Sequence, residues 1–309
     1  ISPGRQGFQP QLSLVYNSMG GNGTMGIGWS TGGLSSLVRI TRSKYYDGES
    51  GGVNLSKSDA FVLDGTRLIK LSETSAQIQY ETEQGLVKVT AFLNGNIIQY
   101  FEVKYPNGNK ATFGNTTNNT NQLTYPITTL TDLRGNSITY SYILSNNRYY
   151  IDSITYIDAS VTFHYLATRP DPVVSYDGGL KAIDDRLLQR IECKSAGTTF
   201  RTYEFTYQTQ SIQNVSTLTQ IGSIASGKSL NPLRFYYGEG NTAYSYTKAE
   251  TQLLEWYNFT QPGQLIVSKG KFDYGTDDDG LISLPNKNPY WQHYRSSGLF
   301  QHSQNRYDN

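Results

Sequence analysis

The stretch AFVLDGTRLIKL, residues 60–71, contains two apolar runs of strand character separated by Asp64-Gly65. An Asp-Gly pair favours a two-residue type I′ turn, because both central residues of that turn need a positive φ. Asn94-Gly95 and Asn107-Gly108 repeat this signal further along the same segment. The sequence therefore predicts consecutive antiparallel hairpins between residues 60 and 115.

Aromatic residues at alternate positions mark a second series of strands after residue 127. Residues two apart in a strand share a face of the sheet, so these rings form a stripe across neighbouring strands. Packing between strands is the favoured interpretation of the stripe, and a sugar-stacking surface is the alternative. The stripe comprises Tyr140, Tyr142, Phe163, Tyr165, Tyr203, Phe205, Tyr207, Phe235 and Tyr237.

The composition agrees with an all-β fold. The chain has 309 residues, of which 25 are Tyr and 30 are Gly, while only 17% are charged. Such a mixture suits twisted strands joined by tight turns. Lys and Arg total 26 against 25 Asp and Glu, a formal net charge of +1 that excludes a strong basic field for nucleic acid. The sequence contains no apolar run long enough to predict a transmembrane segment.

Two features of the sequence bear on processing and redox chemistry. Ile1 is not an initiator Met and no signal peptide is visible, so we expect a piece of a longer protein. Cys193 is the single cysteine, which excludes an intrachain disulfide and a zinc site built from cysteines. We expect Cys193 to be a buried small apolar side chain.

Three matches to catalytic motifs fail on their context. Gly21-Asn-Gly23-Thr-Met-Gly26 fits a dinucleotide fingerprint, and Gly28-Trp-Ser30-Thr-Gly32 fits a nucleophile elbow. Both motifs need a helix after the glycines, and this glycine-rich segment cannot supply one. We expect instead a wide turn packed by Trp29. Glu81-Thr-Glu83, an E-x-E spacing, is expected to be solvated surface. The sequence therefore predicts no catalytic residues.

An acidic cluster near the C-terminal end is the candidate metal site. Asp273, Asp277 and Asp279-Gly280 place carboxylates close together around a Gly turn, as in loops that bind Ca²⁺. The spacing fits no EF-hand, and a solvated acidic turn is the alternative interpretation. We expect no other cofactor. The three His residues are scattered, so a transition-metal site is not predicted.

The N-terminal run PGRQGFQPQLSLVYNS, residues 3–18, closely resembles the start of the SpvB-type domain of Rhs and insecticidal toxin-complex B-component proteins. Gly21-Asn-Gly23, Gly26-Ile-Gly28-Trp29 and Gly33-Leu34-Ser35 continue this resemblance. The segment NPLRFYYG, residues 231–238, resembles the closing part of that domain, and RGNSITYSY, residues 134–142, resembles a degenerate Rhs/YD repeat.

The resemblance implies a domain over residues 1–240 whose wound antiparallel sheet forms part of a β shell. Residues 241–309 would be a linker or the beginning of a propeller-like domain. The implied function is non-enzymatic: a structural module of a secreted or surface bacterial protein, which helps to enclose or present a toxic C-terminal part. The implied partners are other segments of the same protein or a toxin-complex subunit. A carbohydrate-binding or adhesion module that uses the Tyr-rich face, and thus a glycan partner, is the alternative.

The calcium hypothesis makes a direct prediction. If Asp273, Asp277 and Asp279 bind Ca²⁺ in the folded state only, added calcium raises the melting temperature by mass action. We expect the rise between a chelator and millimolar Ca²⁺, and expect it to disappear in Asp277→Asn. Equal melting temperatures in chelator and in calcium would show that these residues do not form a calcium site.

Overall fold

The computed structural model describes residues 1–114, 123–209 and 214–238, together with four strands between residues 266 and 301. The chain divides into two compact units, Ile1–Gly240 and Asn241–Asn309. Each unit is described separately below.

The first unit opens with short elements around the glycine-rich segment. They are a 3-10 turn at Arg5–Gly7 and the strands β1 (Ser13–Tyr16), β2 (Asn22–Gly23), β3 (Gly26–Ile27) and β4 (Trp29–Gly32). Strands β1 and β4 pair antiparallel, and β2 and β3 form a small hairpin between them. No helix follows the glycines in this segment, as expected, but they form the tight β2–β3 hairpin in place of the expected wide turn.

Eight strands then close into a ring. They are β5 (Ser36–Ile40), β6 (Ala60–Leu63), β7 (Thr66–Glu73), β8 (Gln77–Thr82), β9 (Lys88–Asn94), β10 (Ile97–Lys104), β11 (Lys110–Gly114) and β12 (Thr124–Thr131). Each strand pairs antiparallel with the next. The ring closes because the beginning of β12 also pairs with β5. A four-residue helix, α1 (Lys44–Asp47), lies between β5 and β6.

An open antiparallel sheet continues from β12. The strands that follow are β13 (Ser137–Ser145), β14 (Arg148–Tyr156), β15 (Ala159–Leu166), β16 (Val173–Asp177), β17 (Leu180–Asp184), β18 (Leu187–Ser195), β19 (Thr198–Thr209), β20 (Ser216–Ala225) and β21 (Lys228–Arg234). Strands β16 and β17 form a separate hairpin, so β15 pairs directly with β18. Gly178 and Gly179, with φ of 56° and 82°, form the two-residue turn of this hairpin.

The turns confirm the predicted hairpins but not every predicted turn type. Asp64 and Gly65 have φ of 49° and 83°, as a type I′ turn requires. In the β9–β10 and β10–β11 hairpins only the glycines, Gly95 and Gly108, have positive φ. The first differs because Asn94 still belongs to β9 and pairs with Ile97, which shifts the turn by one residue.

The aromatic stripe lies in the core. Tyr140, Phe163 and Phe205 are 6%, 2% and 6% exposed. Their neighbours on the same face pack partly buried against the core; they include Tyr142, Tyr165, Tyr203, Tyr207 and Phe235. Packing between strands, the favoured interpretation, is confirmed, and the all-β, antiparallel fold class with it.

The described part of the second unit is a four-stranded antiparallel sheet. Its strands are β22 (Ile266–Gly270), β23 (Asp279–Ser283), β24 (Trp291–Arg295) and β25 (Phe300–Gln301). Propeller blades also have four strands, but the assignment of this unit to a propeller stays a prediction. No helix in the described part of the chain is long and apolar enough to cross a membrane.

Candidate functional site

The opening and closing segments of the first unit meet at Trp29. The indole Nε1 donates to the Tyr237 hydroxyl at 2.8 Å, and that hydroxyl donates to the carbonyl of Leu218 at 2.6 Å. The indole centroid lies 4.7 Å from the ring of Phe235 and 5.2 Å from that of Tyr16. Trp29 is 8% exposed, so its expected burial is confirmed, but the rings that it contacts are those of Tyr16 and Phe235.

Glycine allows this segment to lie directly on the open sheet. Gly26 and Gly28 have φ of 79° and 76°, a region that side chains disfavour. A Cβ on Gly26 would stand 2.4 Å from the carbonyl oxygen of Ser216, the first residue of β20. The amide of Leu188, in β18, donates to the carbonyl of Thr24 at 2.7 Å. The segment is therefore fixed by its backbone as well as by Trp29.

A buried arginine also holds the glycine-rich segment through hydrogen bonds. Arg169, between β15 and β16, is 2% exposed. Its guanidinium donates to Asn22 Oδ1 at 2.7 Å, to the Gly23 carbonyl at 3.1 Å and to Asp171 Oδ1 at 3.1 Å. It also lies 3.4 Å from Asp184 Oδ1. An isolated charge at this depth would be very unfavourable, so these acceptors are what keep Arg169 inside the fold.

Asp171 extends the network to β20. One carboxylate oxygen accepts from the Ser216 amide and the other from the Ser216 hydroxyl, both at 2.6 Å. Asn22 Nδ2 donates to Asp171 at 2.8 Å. Burial alone would raise the pKa of this carboxyl, but the hydrogen bonds from Arg169, Ser216 and Asn22 outweigh it and hold the pKa well below its usual range. We call Asn22, Arg169, Asp171 and Ser216 the junction network.

The structure places none of the rejected motifs in a catalytic arrangement. The match Gly21–Gly26 lies on the β2–β3 hairpin, and Ser30 is an exposed residue of β4 that pairs with Val15. Glu81 pairs with Lys88 across β8 and β9, and Glu83 accepts from the Tyr46 hydroxyl at 2.7 Å on the surface. These observations confirm the interpretation of the glutamates as surface residues.

Cys193 lies in the core, whereas two of the three candidate calcium ligands lie outside the described residues. Cys193 is 1% exposed in β18, as expected of a buried small apolar side chain, and burial raises the pKa of its thiol. Asp273 and Asp277 lie outside the described residues, and Asp279 is the first residue of β23. The calcium site stays a prediction. Within the described residues, no cluster of three His, Cys, Asp or Glu side chains could hold a metal ion.

Sequence reasoning missed the junction network. Arg169, Asp171 and Ser216 carry no motif, and they are far from Asn22 in the chain. The one available signal was a charged pair in a turn-rich stretch, which is usually solvated. Only the three-dimensional pairing of β15, β18, β19 and β20 brings the four residues together.

Comparison with known proteins places this junction within a known type of fold. Residues 1–106 match the family model SpvB, described as the Salmonella virulence plasmid 65kDa B protein. The resemblance of the opening segment to the SpvB-type domain is thereby confirmed. No curated protein matches the chain.

Solved structures extend the likeness beyond residue 106. The N-terminal domain of effector protein SpvB from Salmonella typhimurium strain LT2 has a TM-score of 0.61 and 18% identity, over 71% of this chain and 95% of that one. The TcdB2-TccC3 crystal structure has a TM-score of 0.68 and 14% sequence identity over 93% of this chain. The Photorhabdus luminescens Tc holotoxin pore has a TM-score of 0.64 and 14% sequence identity, also over 93% of this chain. The chain spans 18% and 17% of those two longer chains. At such identities the likeness establishes the fold.

Acid titration separates the role of Asp171 from that of ordinary surface carboxylates. The pKa of Asp171 is lower in the folded state than its value of about 3.9 in the unfolded chain. The ionised carboxylate therefore stabilises the fold fully at pH values above about 3.9. This stability is lost as the pH falls through the folded-state pKa. We expect Asp171→Asn to lower the free energy of unfolding at pH 7 by about 3 kcal/mol, since it leaves Arg169 with less compensation.

The measurement is urea unfolding of wild type and Asp171→Asn between pH 7 and pH 2. The difference between them should shrink as the pH falls below 4, while the exposed control Asp158→Asn changes little at any pH. A difference that is small at pH 7, or that is independent of pH, would mean that Asp171 does not hold the junction as an anion.

Proposed function

We propose that residues 1–240 are a non-enzymatic wall section of a shell in a secreted or surface bacterial protein of the Rhs or toxin-complex type. In that role the domain helps to enclose or present a toxic C-terminal part. The proposal is supported by the continuous antiparallel sheet, by the SpvB-type opening segment and by the fold likeness to TcdB2-TccC3 over 93% of the chain.

The open edge of β21 carries the proposal. All seven residues of β21 are exposed, and within the described residues β20 is the only strand that pairs with it. Leu230, Leu233 and Tyr236 are 46%, 64% and 86% exposed along this edge. A strand edge with apolar side chains is a template for another strand. In a wound wall, the next segment of a longer protein or a partner subunit would pair there.

The buried ionic groups of the unit fit a structural role. Arg39 and Asp59, 5% and 4% exposed, form an ion pair at 3.0 Å, and Arg39 donates to the Tyr125 hydroxyl at 2.8 Å. This pair ties β5 to β12, where the ring closes, and to the segment before β6. Like the junction network, it holds distant segments of backbone together and lies in the interior.

The glycan alternative loses the surface on which it depended. The aromatic stripe packs in the core, with Tyr140, Phe163 and Phe205 nearly inaccessible, so a sugar ring has no face to stack on there.

Within the second unit, we keep the propeller-like assignment of residues 241–309 as part of the proposal. Four-stranded antiparallel pairing supports it.

Self-association tests the open edge. We expect the 309-residue chain to form concentration-dependent oligomers through β21, because within the described residues no strand pairs with its outer edge, and Leu230 and Leu233 are exposed there. The double variant Leu230→Lys with Leu233→Lys should be monomeric, since charges on an edge strand oppose edge-to-edge pairing. Sedimentation velocity over a range of concentrations measures this.

A matched control uses two other exposed leucines. Leu71 and Leu86 are 52% and 66% exposed, and they lie on the ring rather than on the open edge. The double variant Leu71→Lys with Leu86→Lys should associate as the wild type does. If wild type is monomeric at all concentrations, or if both double variants behave alike, β21 is not a pairing edge and the wall proposal loses its main support.

A further inference from the structure

Three Asn-Gly pairs in the chain differ in how the fold holds them. They are Asn22-Gly23, Asn94-Gly95 and Asn107-Gly108. In such a pair the glycine nitrogen can attack the side-chain carbonyl carbon of the asparagine, because glycine has no side chain to screen its amide and the reaction closes a five-membered ring within one molecule. Asparagine is for this reason a thermolabile residue. The hydrogen bonds of the three pairs decide which of them is free to react.

Asn22-Gly23 is held by the junction network. The side-chain oxygen of Asn22 accepts from Arg169 at 2.7 Å, and its side-chain nitrogen donates to Asp171 at 2.8 Å. The Gly23 carbonyl accepts from the same guanidinium at 3.1 Å. Turning the carboxamide toward the Gly23 nitrogen would break both side-chain hydrogen bonds beside a buried charge, which is unfavourable. This pair is therefore protected while the junction is closed.

Asn107-Gly108 is engaged in the β10–β11 turn. The Gly108 amide, which would be the nucleophile, donates to the carbonyl of Tyr105 at 2.9 Å. The side-chain oxygen of Asn107 accepts from the amide of Asn109 at 3.1 Å. Leu133 lies against Gly108, where a Cβ would stand 2.5 Å from the leucine side chain. Reaction at this pair therefore requires the turn to open first.

Asn94-Gly95 has none of these restraints. Both residues are exposed at the β9–β10 turn, where Gly95 has φ of 61°. Within the described residues, no hydrogen bond involves the Asn94 side chain or the Gly95 amide. The pairing of Asn94 with Ile97 holds the ends of the turn but leaves these two groups open to water. Neither group has a hydrogen bond to lose when the ring forms.

We propose that Asn94 is the site at which this chain deamidates spontaneously and forms isoaspartate. The Gly95 nitrogen loses its proton to hydroxide and bonds to Cγ of Asn94, while the bond from Cγ to the side-chain nitrogen breaks and ammonia leaves. Water then adds to one of the two ring carbonyls of the succinimide and opens it to aspartate or isoaspartate. Each event consumes one water and releases one ammonia.

The product changes both the charge and the length of the β9–β10 turn. A carboxylate replaces a neutral carboxamide, and in isoaspartate the main chain runs through the β-carbon, which adds one CH2 between paired residues. We therefore expect the modification to weaken the pairing of Asn94 with Ile97, next to the buried Ile98. This modification is independent of the wall function proposed above.

Peptide mapping by mass spectrometry tests the proposal on the 309-residue chain, kept folded in mildly alkaline buffer at body temperature. The readouts are the deamidation of each Asn-Gly peptide and methyl transfer by a protein isoaspartate methyltransferase. We expect Asn94 to react about tenfold faster than Asn107 or Asn22, since each hydrogen bond that must break slows the reaction by up to about that factor. Asn94→Gln should remove most of the isoaspartate signal, because glutamine closes its longer ring slowly. The matched control Asn107→Gln should keep it.

Two further measurements show whether the fold is the cause of the selectivity. In the urea-unfolded chain the three pairs should react at similar rates. Arg169→Met removes the donor that holds the Asn22 carboxamide, so deamidation at Asn22 should rise while the rate at Asn94 stays the same. The assignment would be overturned if Asn107 or Asn22 reacted as fast as Asn94 in the folded chain, or if Asn94→Gln and Asn107→Gln gave equal isoaspartate signals. A preference for Asn94 that persisted after unfolding, or an Asn22 rate that Arg169→Met left unchanged, would overturn its structural basis.

Discussion

The buried guanidinium of Arg169 is the constraint on which the first unit depends. A charge this far from water needs a full set of acceptors, and the fold supplies them from Asp171 and from the backbone and side chain of the glycine-rich segment. Because Asp171 simultaneously accepts from Ser216, satisfying Arg169 also fixes the start of β20. One electrostatic requirement therefore joins the opening segment, the connection after β15 and the far side of the sheet.

The remaining contacts of the junction follow from this placement. Once the glycine-rich segment lies against β20, the backbone of Gly26 is too close to Ser216 for any side chain. Trp29 then reaches Tyr237 and Phe235, which follow β21 along the edge of β20. The two ends of the unit are thus held together across the sheet. Within the described residues, no strand pairs with the outer edge of β21, as the proposed wall role requires.

Local features of the fold could be predicted from the sequence, and long-range ones could not. Alternating aromatics and Asp64-Gly65 correctly indicated hairpins, because side-chain period and turn conformation are properties of a few adjacent residues. Asn146-Asn147 and Ser226-Gly227 also have positive φ at both positions, and a search restricted to Asn-Gly and Asp-Gly pairs overlooks them. Closure of the ring by β12 on β5 has no local signal, because it joins segments far apart in the chain. The junction network was missed for the same reason, although the glycine-rich opening segment that it holds was recognised.

Because Arg169 holds the glycine-rich segment, Asp171 and the start of β20 together, we expect the junction to open as one unit, and native-state hydrogen exchange of wild type and Arg169→Met tests this most directly. The amides to follow are those of Gly28, Leu188 and Ser216, which donate to Gly21, Thr24 and Asp171. The account predicts that protection of all three falls together in Arg169→Met, while the ring amide of Leu93, bonded to Ala76, keeps its protection. Loss of protection at Ser216 alone, or equal protection of all three amides in both proteins, would contradict it.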